Sequence, residues 1–566
     1  MVVKSTKEEL KIELSLLKSK GEAPTWMNWM SYAMMKDSYL YPNQTPKERF
    51  RIIADTAASY MPTAQKEWSD KFFALVWDNF LALSTPVMGN LGTDRGLAVS
   101  CSASYVGDSM WDIAYTDYEL SMLSKYGFGT SALMDLRAGY SPISGGGHTN
   151  SVIDWIEKYW NTQNKVSQGN LRRGSTAIYL NFWHAELMKI LPMLETHDKL
   201  HIGIICDDSV RDALKANDPD AITRYKTILS WRARKGKPYI IFIDNAKRQD
   251  PPQYAEHGLS TKQSNLCTEI FQHTDSDHTL ACVLSSMVGN RFDQWCKTEA
   301  VFNSTIMLDC INQDLLVRGS KIKGLERVVR SAEKSRALGL GLLGFHTYLQ
   351  EKMIPMDSFQ ATRENAKIFA HIKNEAIRAS QYLANIFGEP EYCKGTGLRN
   401  THLLAVAPNT TSAFMAGAVS QGIEPWVANS FEQKLAKVGS IERINPTLLA
   451  LLRAKGKDTP EVMDSIAFNK GSVQQLDFLD DLEKQVFKTA FEINQKVLID
   501  LAEQRQKWIC QGQSLNLFFD ANEEEQWIHE VHKYAFEKDL LKSLYYVRTM
   551  AGIQADKGDS CLACEG

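Results

Sequence analysis

The chain has 566 residues, 44% hydrophobic and 23% charged, and 64 Lys+Arg against 67 Asp+Glu leave a formal net charge of -3. That length allows two to four average domains, or one large barrel with an accessory unit, and the near-neutral balance offers no electrostatic footprint for a nucleic-acid polymer. Ten cysteines over such a length are no disulfide framework and the charged N-terminus has no apolar signal core, so a reducing, cytoplasmic compartment and no membrane span are expected.

From Thr6 to about Ser84 apolar residues recur at helical spacing, with Leu10, Ile12, Leu14 and Leu17 in the opening charged helix, which predicts a helical domain over 1–84. Ser84-Thr85-Pro86 and Ser100-Cys101 follow, then Asp108, then YGFGT, where a Cβ at Gly127 or Gly129 would obstruct a close approach to the backbone. LRAGYSPISGGG carries Arg137 and Ile143; an aspartate such as Asp108 can accept ribose hydroxyl protons and an arginine can hold phosphates. SQGNLRRG, from Ser167 and Gln168 through Arg172 to Gly174, mixes glycine and arginine as an anion-sensing loop or a plain surface turn would.

Between Ile202 and Asp244 helical and strand patterns alternate, ending in PYIIFIDNA, as in an α/β barrel or open sheet. In the next word, SNLCTEI, an extended backbone would put Asn265, Cys267 and Glu269 on one face, a set suited to a sulfur that takes an atom from a substrate while a carboxylate moves a proton. LACVLSS brings Cys282, a second thiol for Cys101 if the two Cβ atoms come within about 4 Å. GLGLLG, from Gly339, has the form of a dinucleotide fingerprint but follows a charged helical segment instead of a strand, so its glycines predict close packing.

HLLAVA reads as a strand and AFMA as a helix start, with Pro408, Asn409, Thr410, Thr411 and Ser412 between them as a phosphate cradle or an ordinary cap. Tyr545 and Tyr546 are adjacent, and in a regular strand one would pack and the other face outward. Cys561 and Cys564 form a C-x-x-C two residues from the end of the sequence, after a polar linker; with no second pair nearby for zinc, a redox dithiol on a mobile tail is expected and no metal site. The other cysteines are read as structural.

SNLCTEI and LACVLSSMVGN, with the words around Ser84, Ser100, Gly127, Pro408, Gln513 and Leu544 in the same order, resemble the catalytic large subunit of the ribonucleotide reductases. The resemblance implies a ten-stranded α/β barrel over 85–550 behind the helical domain, a redox-active tail over 551–566, and, from the short N-terminal part, a form lacking the nucleotide-binding cone of many relatives. It further implies a thiyl radical on Cys267, Asn265 and Glu269 on the sugar hydroxyls, and Cys101 with Cys282 as the reducing pair recharged by Cys561 and Cys564. Thr85, Ser100, Gly127 and residues 408–412 would bind substrate, and Asp108, Arg137, Ile143, Ser167, Gln168 and Arg172 an allosteric dNTP or ATP. Tyr545 and Tyr546 match a radical relay, which points to class I, to a ferritin-like small subunit supplying the radical, and to no covalently bound cofactor. Thioredoxin or glutaredoxin as external reductant and a homodimer of this chain complete the expectation. A cobalamin-dependent reductase, a glycyl-radical enzyme and a non-catalytic nucleotide-binding scaffold are the competing readings; no R-V-x-G-Y-like word stands near the C-terminus.

Overall fold

The computed structural model describes residues 6–168, 172–197, 199–435 and 439–549. Four helices come first: α1 (Lys7–Ser19), α2 (Trp29–Ser38), α3 (Pro46–Ala58) and α4 (Gln65–Trp77). Capping boxes start α1 and α3, where Thr6 and Thr45 exchange hydrogen bonds with Glu9 and Glu48. Leu10 and Leu14 of α1 are buried, but Ile12 faces solvent, because 3.6-residue periodicity turns it away from the stripe that its neighbours bury.

Nine strands follow in the main sheet: β1 (Leu81–Leu83), β2 (Cys101–Tyr105), β3 (Thr130–Leu133), β4 (Thr176–Asn181), β5 (His201–Cys206), β6 (Tyr239–Phe242), β7 (Leu280–Val288), β8 (Leu338–Leu343) and β9 (Ser543–Leu544). Strands β2 to β6 pair in sequence order and all in parallel. β8 lies parallel to β7, residues 403–406 run parallel to β8, and residues 511–514 run parallel to those, through bridges at Leu340–Leu404 and Val406–Gln513. The chain at Tyr545 then bonds to Leu515, with the Tyr545 amide on the Leu515 carbonyl at 2.8 Å. Two five-membered halves therefore face each other, and they join at two antiparallel seams. One seam is β2 against β7, and the other is β6 against β9. The ring is the ten-stranded α/β barrel expected, with β1 added antiparallel to β7.

All four residues of β6 and all nine of β7 are buried, as in strands covered on both faces, although β7 carries the serines Ser285 and Ser286. One core cluster runs from Leu10 to Val547, so the helical segment and the barrel share their packing. The first five residues of GLGLLG lie in the barrel strand β8, and a Cβ at Gly339 would meet the Leu284 side chain at 2.3 Å and the Cys282 Sγ at 2.9 Å. Close packing is what these glycines provide.

Behind the barrel, Arg336 donates to Asp309 through Nε (2.9 Å) and Nη2 (2.8 Å), and the two side chains are 4% and 3% exposed. Asn400 also donates to this carboxylate at 2.9 Å. Arg336→Met removes the close partner of a buried charge and is expected to cost about 3–5 kcal/mol in urea-induced unfolding; a loss below about 1 kcal/mol would show that Arg399, 3.8 Å from the same carboxylate, suffices alone.

Candidate active site

The segment between β6 and β7 passes through the barrel. Leu266 and Cys267 pack with Leu133, Ala177, Tyr179, Ile205, Tyr239 and Ile241 of one half and with Tyr545 and Tyr546. Ile270, four residues on from Leu266, packs with Cys101, Cys282, Ala405 and Ala407 at the other seam. A loop buried this deeply needs partners for its carbonyls. Ser131 and Tyr179 donate to the Ser264 and Asn265 carbonyls at 2.8 and 2.6 Å, while Ser514, Ser543 and the Gly512 amide donate to those of Cys267, Thr268 and Glu269 at 2.5, 2.9 and 2.8 Å.

The loop is not extended. Residues 266–268 form a tight turn with Thr268 at φ +66°, so the alternation argument fails for this word. What joins the three residues is a side-chain clamp. Asn265 Oδ1 accepts from the amides of Glu269 and Ile270, both at 3.0 Å, and Ser514 Oγ reaches both the Cys267 carbonyl and Glu269 Oε2 (3.1 Å). Asn265 Nδ2 is buried with no hydrogen-bond partner within ordinary distance. Burial pushes the Glu269 carboxyl up to about 7, against the opposing pull of the Asn265 side chain first, then of its own amide, Ser514 and Cys101, so near neutral pH it can both take and give a proton.

Cys101 and Cys282 are direct cross-strand partners in the β2–β7 seam, where facing Cβ atoms lie about 4.5–5.5 Å apart, close to disulfide reach. Neither is in a disulfide. Cys101 Sγ lies 3.8 Å from Glu269 Oε1, which ties the pair to the loop, and Gln511 Nε2 lies 3.4 Å from Cys282 Sγ. Burial holds the Cys282 thiol well above its ordinary range and the nearby Glu269 adds to the effect, so it stays protonated. Two S–H groups side by side can deliver two electrons and two protons.

Tyr545 and Tyr546 lie between β9 and the short strand Val547–Thr549, not within a regular strand, and both are buried, 1% and 6% exposed. Their ring centroids are 4.3 Å apart. The expectation that one would face outward fails because the chain breaks strand geometry there.

The expected substrate residues gather at the β1 end. Ser100 Oγ donates to Ser84 Oγ (3.2 Å), Ser84 donates its amide to Ser285 Oγ (3.4 Å), and Asn409 Nδ2 reaches Ser286 Oγ at 2.9 Å. Ser412 Oγ bonds the Leu83 carbonyl at 3.0 Å, Thr410 lies 3.3 Å from Gln421 Oε1, and Thr85 lies 3.2 Å from the Tyr39 hydroxyl. Pro408 precedes Asn409, whose φ of +49° turns the chain into a helix that starts at Thr410 and takes in Thr411 and Ser412, three residues earlier than the sequence pattern indicates. Gly127, at φ +102°, meets the Gln168 side chain, which would lie 2.4 Å from a Cβ there. Gln168 in turn donates to Asn90 Oδ1 at 2.9 Å.

On the exposed side, Arg137 pairs with Asp108 at 2.6 Å and donates to the Pro142 carbonyl at 3.0 Å, with Ile143 exposed nearby in sequence. Ser167–Gln168 and Arg172–Arg173 form the arms of a two-stranded hairpin. Cys561 and Cys564 lie outside the described residues. Among the described residues one group has metal-ligand character: His273, Asp275 and His278, with ligand-type atoms within 4.8 Å of one another. The two imidazoles lie 2.8 and 2.9 Å from the Asp275 carboxylate and, against its burial, hold it well below the usual range, while Tyr392 bonds His278 at 3.3 Å. That network latches the base of the buried loop.

Sequence reasoning missed Ser514, which ties Cys267 to Glu269, although the word containing it was in view. It also missed Tyr239 and His201, whose placement beside the tyrosine pair depends on sheet pairing that no local pattern encodes.

Residues 99–219, 210–393 and 390–547 match the family model described as ribonucleotide reductase, barrel domain, and residues 26–96 match the ribonucleotide reductase all-alpha domain. A protein of Frog virus 3 (isolate Goorha), named provisionally as a ribonucleoside-diphosphate reductase large subunit, is 36% identical over 90% of this chain and 95% of its own. The ribonucleoside-diphosphate reductase large subunit of Invertebrate iridescent virus 3 is 31% identical over 94% of this chain and 97% of its own. Among solved structures, the class Id ribonucleotide reductase alpha subunit of Actinobacillus ureae superposes with a TM-score of 0.86 at 35% identity, covering 95% of this chain and 99% of that one.

Proposed function

The chain belongs to the ribonucleotide reductase large-subunit family, and on that footing we propose that it reduces ribonucleoside diphosphates to 2'-deoxyribonucleotides through a thiyl radical on Cys267. The observation that carries this reading is the in-register pairing of Cys101 with Cys282, with Cys101 Sγ 3.8 Å from the carboxylate of the Cys267 loop. Cys267 takes the ribose 3'-hydrogen atom as its sulfur radical becomes a thiol. Glu269 accepts the 3'-hydroxyl proton, and Asn265 Nδ2, the buried donor without a partner, bonds a sugar hydroxyl. The 2'-oxygen leaves as water after protonation. Cys101 and Cys282 supply two electrons and two protons and end as a disulfide, and the 3'-hydrogen returns from Cys267.

The family pairs its large subunit with a small one. We assign Tyr545 and Tyr546 as the last steps of radical entry from a ferritin-like partner, a reading supported by their contact at 4.3 Å and their shared cluster with Cys267. The hydroxyl and amide cluster of Ser84, Ser100, Asn409 and Ser412 is the proposed phosphate end of the substrate site, and the Asp108, Arg137 and Ile143 surface the proposed effector site. The test is product formation with the small subunit, without it, and with added adenosylcobalamin. Deoxynucleotide only in the first arm supports the reading; activity with cobalamin alone overturns it in favour of the cobalamin-dependent class.

Cys561 and Cys564 are proposed to reduce the Cys101–Cys282 disulfide and to be reduced in turn by thioredoxin or glutaredoxin. Replacing both by serine is expected to leave single-turnover product yield within about twofold while multiple turnover with thioredoxin falls by about a hundredfold or more. Equal loss in both assays would remove the tail from the electron path.

A further inference from the structure

The tyrosine pair is not alone. Tyr239 of β6 packs its ring 4.7 Å from Tyr545 and 5.1 Å from Tyr546, so three phenols are in mutual contact. His201, at the start of β5, faces two of them: its Nδ1 lies 2.7 Å from the Tyr239 hydroxyl and 3.1 Å from the Tyr546 hydroxyl. The imidazole stacks along Tyr239, with centroids 6.0 Å apart and planes at 18°. It stands edge-on to Tyr546, at 6.3 Å and 77°. His201, Tyr239 and Tyr546 are all buried.

Three cations and one carboxylate stand around this cluster: Glu424 accepts from the Asn516 amide at 3.3 Å and faces Arg548, and Asn516 Oδ1 accepts from the Tyr546 amide at 3.0 Å. Arg232 is buried and donates to the Tyr545 carbonyl at 2.9 Å, Arg548 lies over the Tyr546 ring at 4.3 Å, and Lys237 donates to the Leu200 carbonyl at 2.8 Å. A phenol ordinarily donates its hydrogen, and in the tautomer that leaves its lone pair at Nδ1 this ring nitrogen is within reach to accept from the Tyr546 or the Tyr239 phenol. Loss of an electron makes a phenol a far stronger acid, so a tyrosine that is oxidised in a buried site needs a base within hydrogen-bond reach. The His201 Nδ1 lies at that distance here.

We propose that His201 holds the phenolic proton of Tyr546 while that residue passes an electron, acting as the positioning and proton-holding residue of radical entry. This rests on the radical reading above. In the entry step the Tyr546 O–H bond breaks and an N–H bond forms at His201 Nδ1. The electron goes to the one-electron oxidant of the partner subunit, which is thereby reduced. When Tyr546 regains an electron from a donor further in, the N–H proton returns and the phenol is restored. Atoms and charge balance over the cycle, and the proton never crosses the apolar cluster. Tyr239, on the same nitrogen, fixes the imidazole in the plane that meets Tyr546.

The test uses the full chain with its small subunit and compares His201→Phe and His201→Gln with the unsubstituted protein, measuring kcat, KM and nucleotide binding. Phenylalanine keeps the packing and removes the base. Glutamine can accept the phenolic hydrogen bond through its amide oxygen but cannot take the proton. Both variants are expected to lose at least about tenfold in kcat, the scale of a removed proton acceptor, with KM and nucleotide Kd within about twofold. Recovery of kcat by glutamine would overturn the proton-holding role and leave only orientation; unsubstituted kcat in either variant, or equal losses in binding and kcat, would overturn the proposal outright. Failure of the unsubstituted chain to form product would instead sink the reductase reading on which this one stands.

Discussion

Cys267→Ser is expected to reduce deoxynucleotide formation to background, a loss of at least about a thousandfold, with substrate and effector Kd unchanged within about twofold. The expectation comes from bond chemistry. A thiol gives up its hydrogen atom to a phenoxyl radical at little energetic cost, whereas an alcohol O–H is too strong a bond for that exchange. Serine fits the same turn, whose shape is set by Asn265 Oδ1 and by Ser514 on the residue 267 carbonyl, neither of which touches the sulfur. Binding and chemistry therefore separate in this variant. Turnover above a few per cent, measured as deoxynucleotide product, would remove Cys267 from the hydrogen-transfer role.

Glu269 governs the second large effect. Because burial raises its carboxyl to about 7, the general-base form appears only as pH rises through that value. The kcat of the unsubstituted enzyme is accordingly expected to climb with pH on a limb centred near 7. Glu269→Gln should remove that limb and lower kcat by about a hundred- to ten-thousandfold. The sign for stability is opposite. The folded state binds this proton more tightly than the unfolded chain, so the carboxyl favours folding at low pH, and this contribution is lost as pH rises from the ordinary carboxylate range through about 7. The glutamine variant should thus gain stability relative to the parent above neutrality. A pH–rate profile with the same limb in both proteins would assign the titration elsewhere.

Much of the site was legible in the sequence as composition of words, and less of it as geometry. The barrel follows from alternating patterns and resemblance, and the full burial of β6 and β7 agrees with strands covered on both faces. The Asn265, Cys267 and Glu269 set rests on the resemblance of SNLCTEI, and the strand alternation offered beside it is not what the fold uses: the backbone turns at Thr268, and a side-chain clamp does what alternation was expected to do. Tyrosine burial was misjudged for a similar reason. Period-2 reasoning presumes a regular strand, and residues 545 and 546 sit in the break between two short ones. The Cys101–Cys282 register, the convergence of Ser84 with Ser285 and of Asn409 with Ser286, and the place of His201 beside Tyr546 are all contacts between residues far apart in sequence. Local periodicity carries no signal for such pairs; only closure of the ring creates them.

The measurement closest to the centre of this account is disulfide mapping after a single turnover without external reductant, on the chain carrying Cys561→Ser and Cys564→Ser together with its small subunit. One Cys101–Cys282 disulfide for each deoxynucleotide formed, and none without substrate, is the predicted result. Product with both thiols still free, or a disulfide that joins either of them to another cysteine, would contradict it.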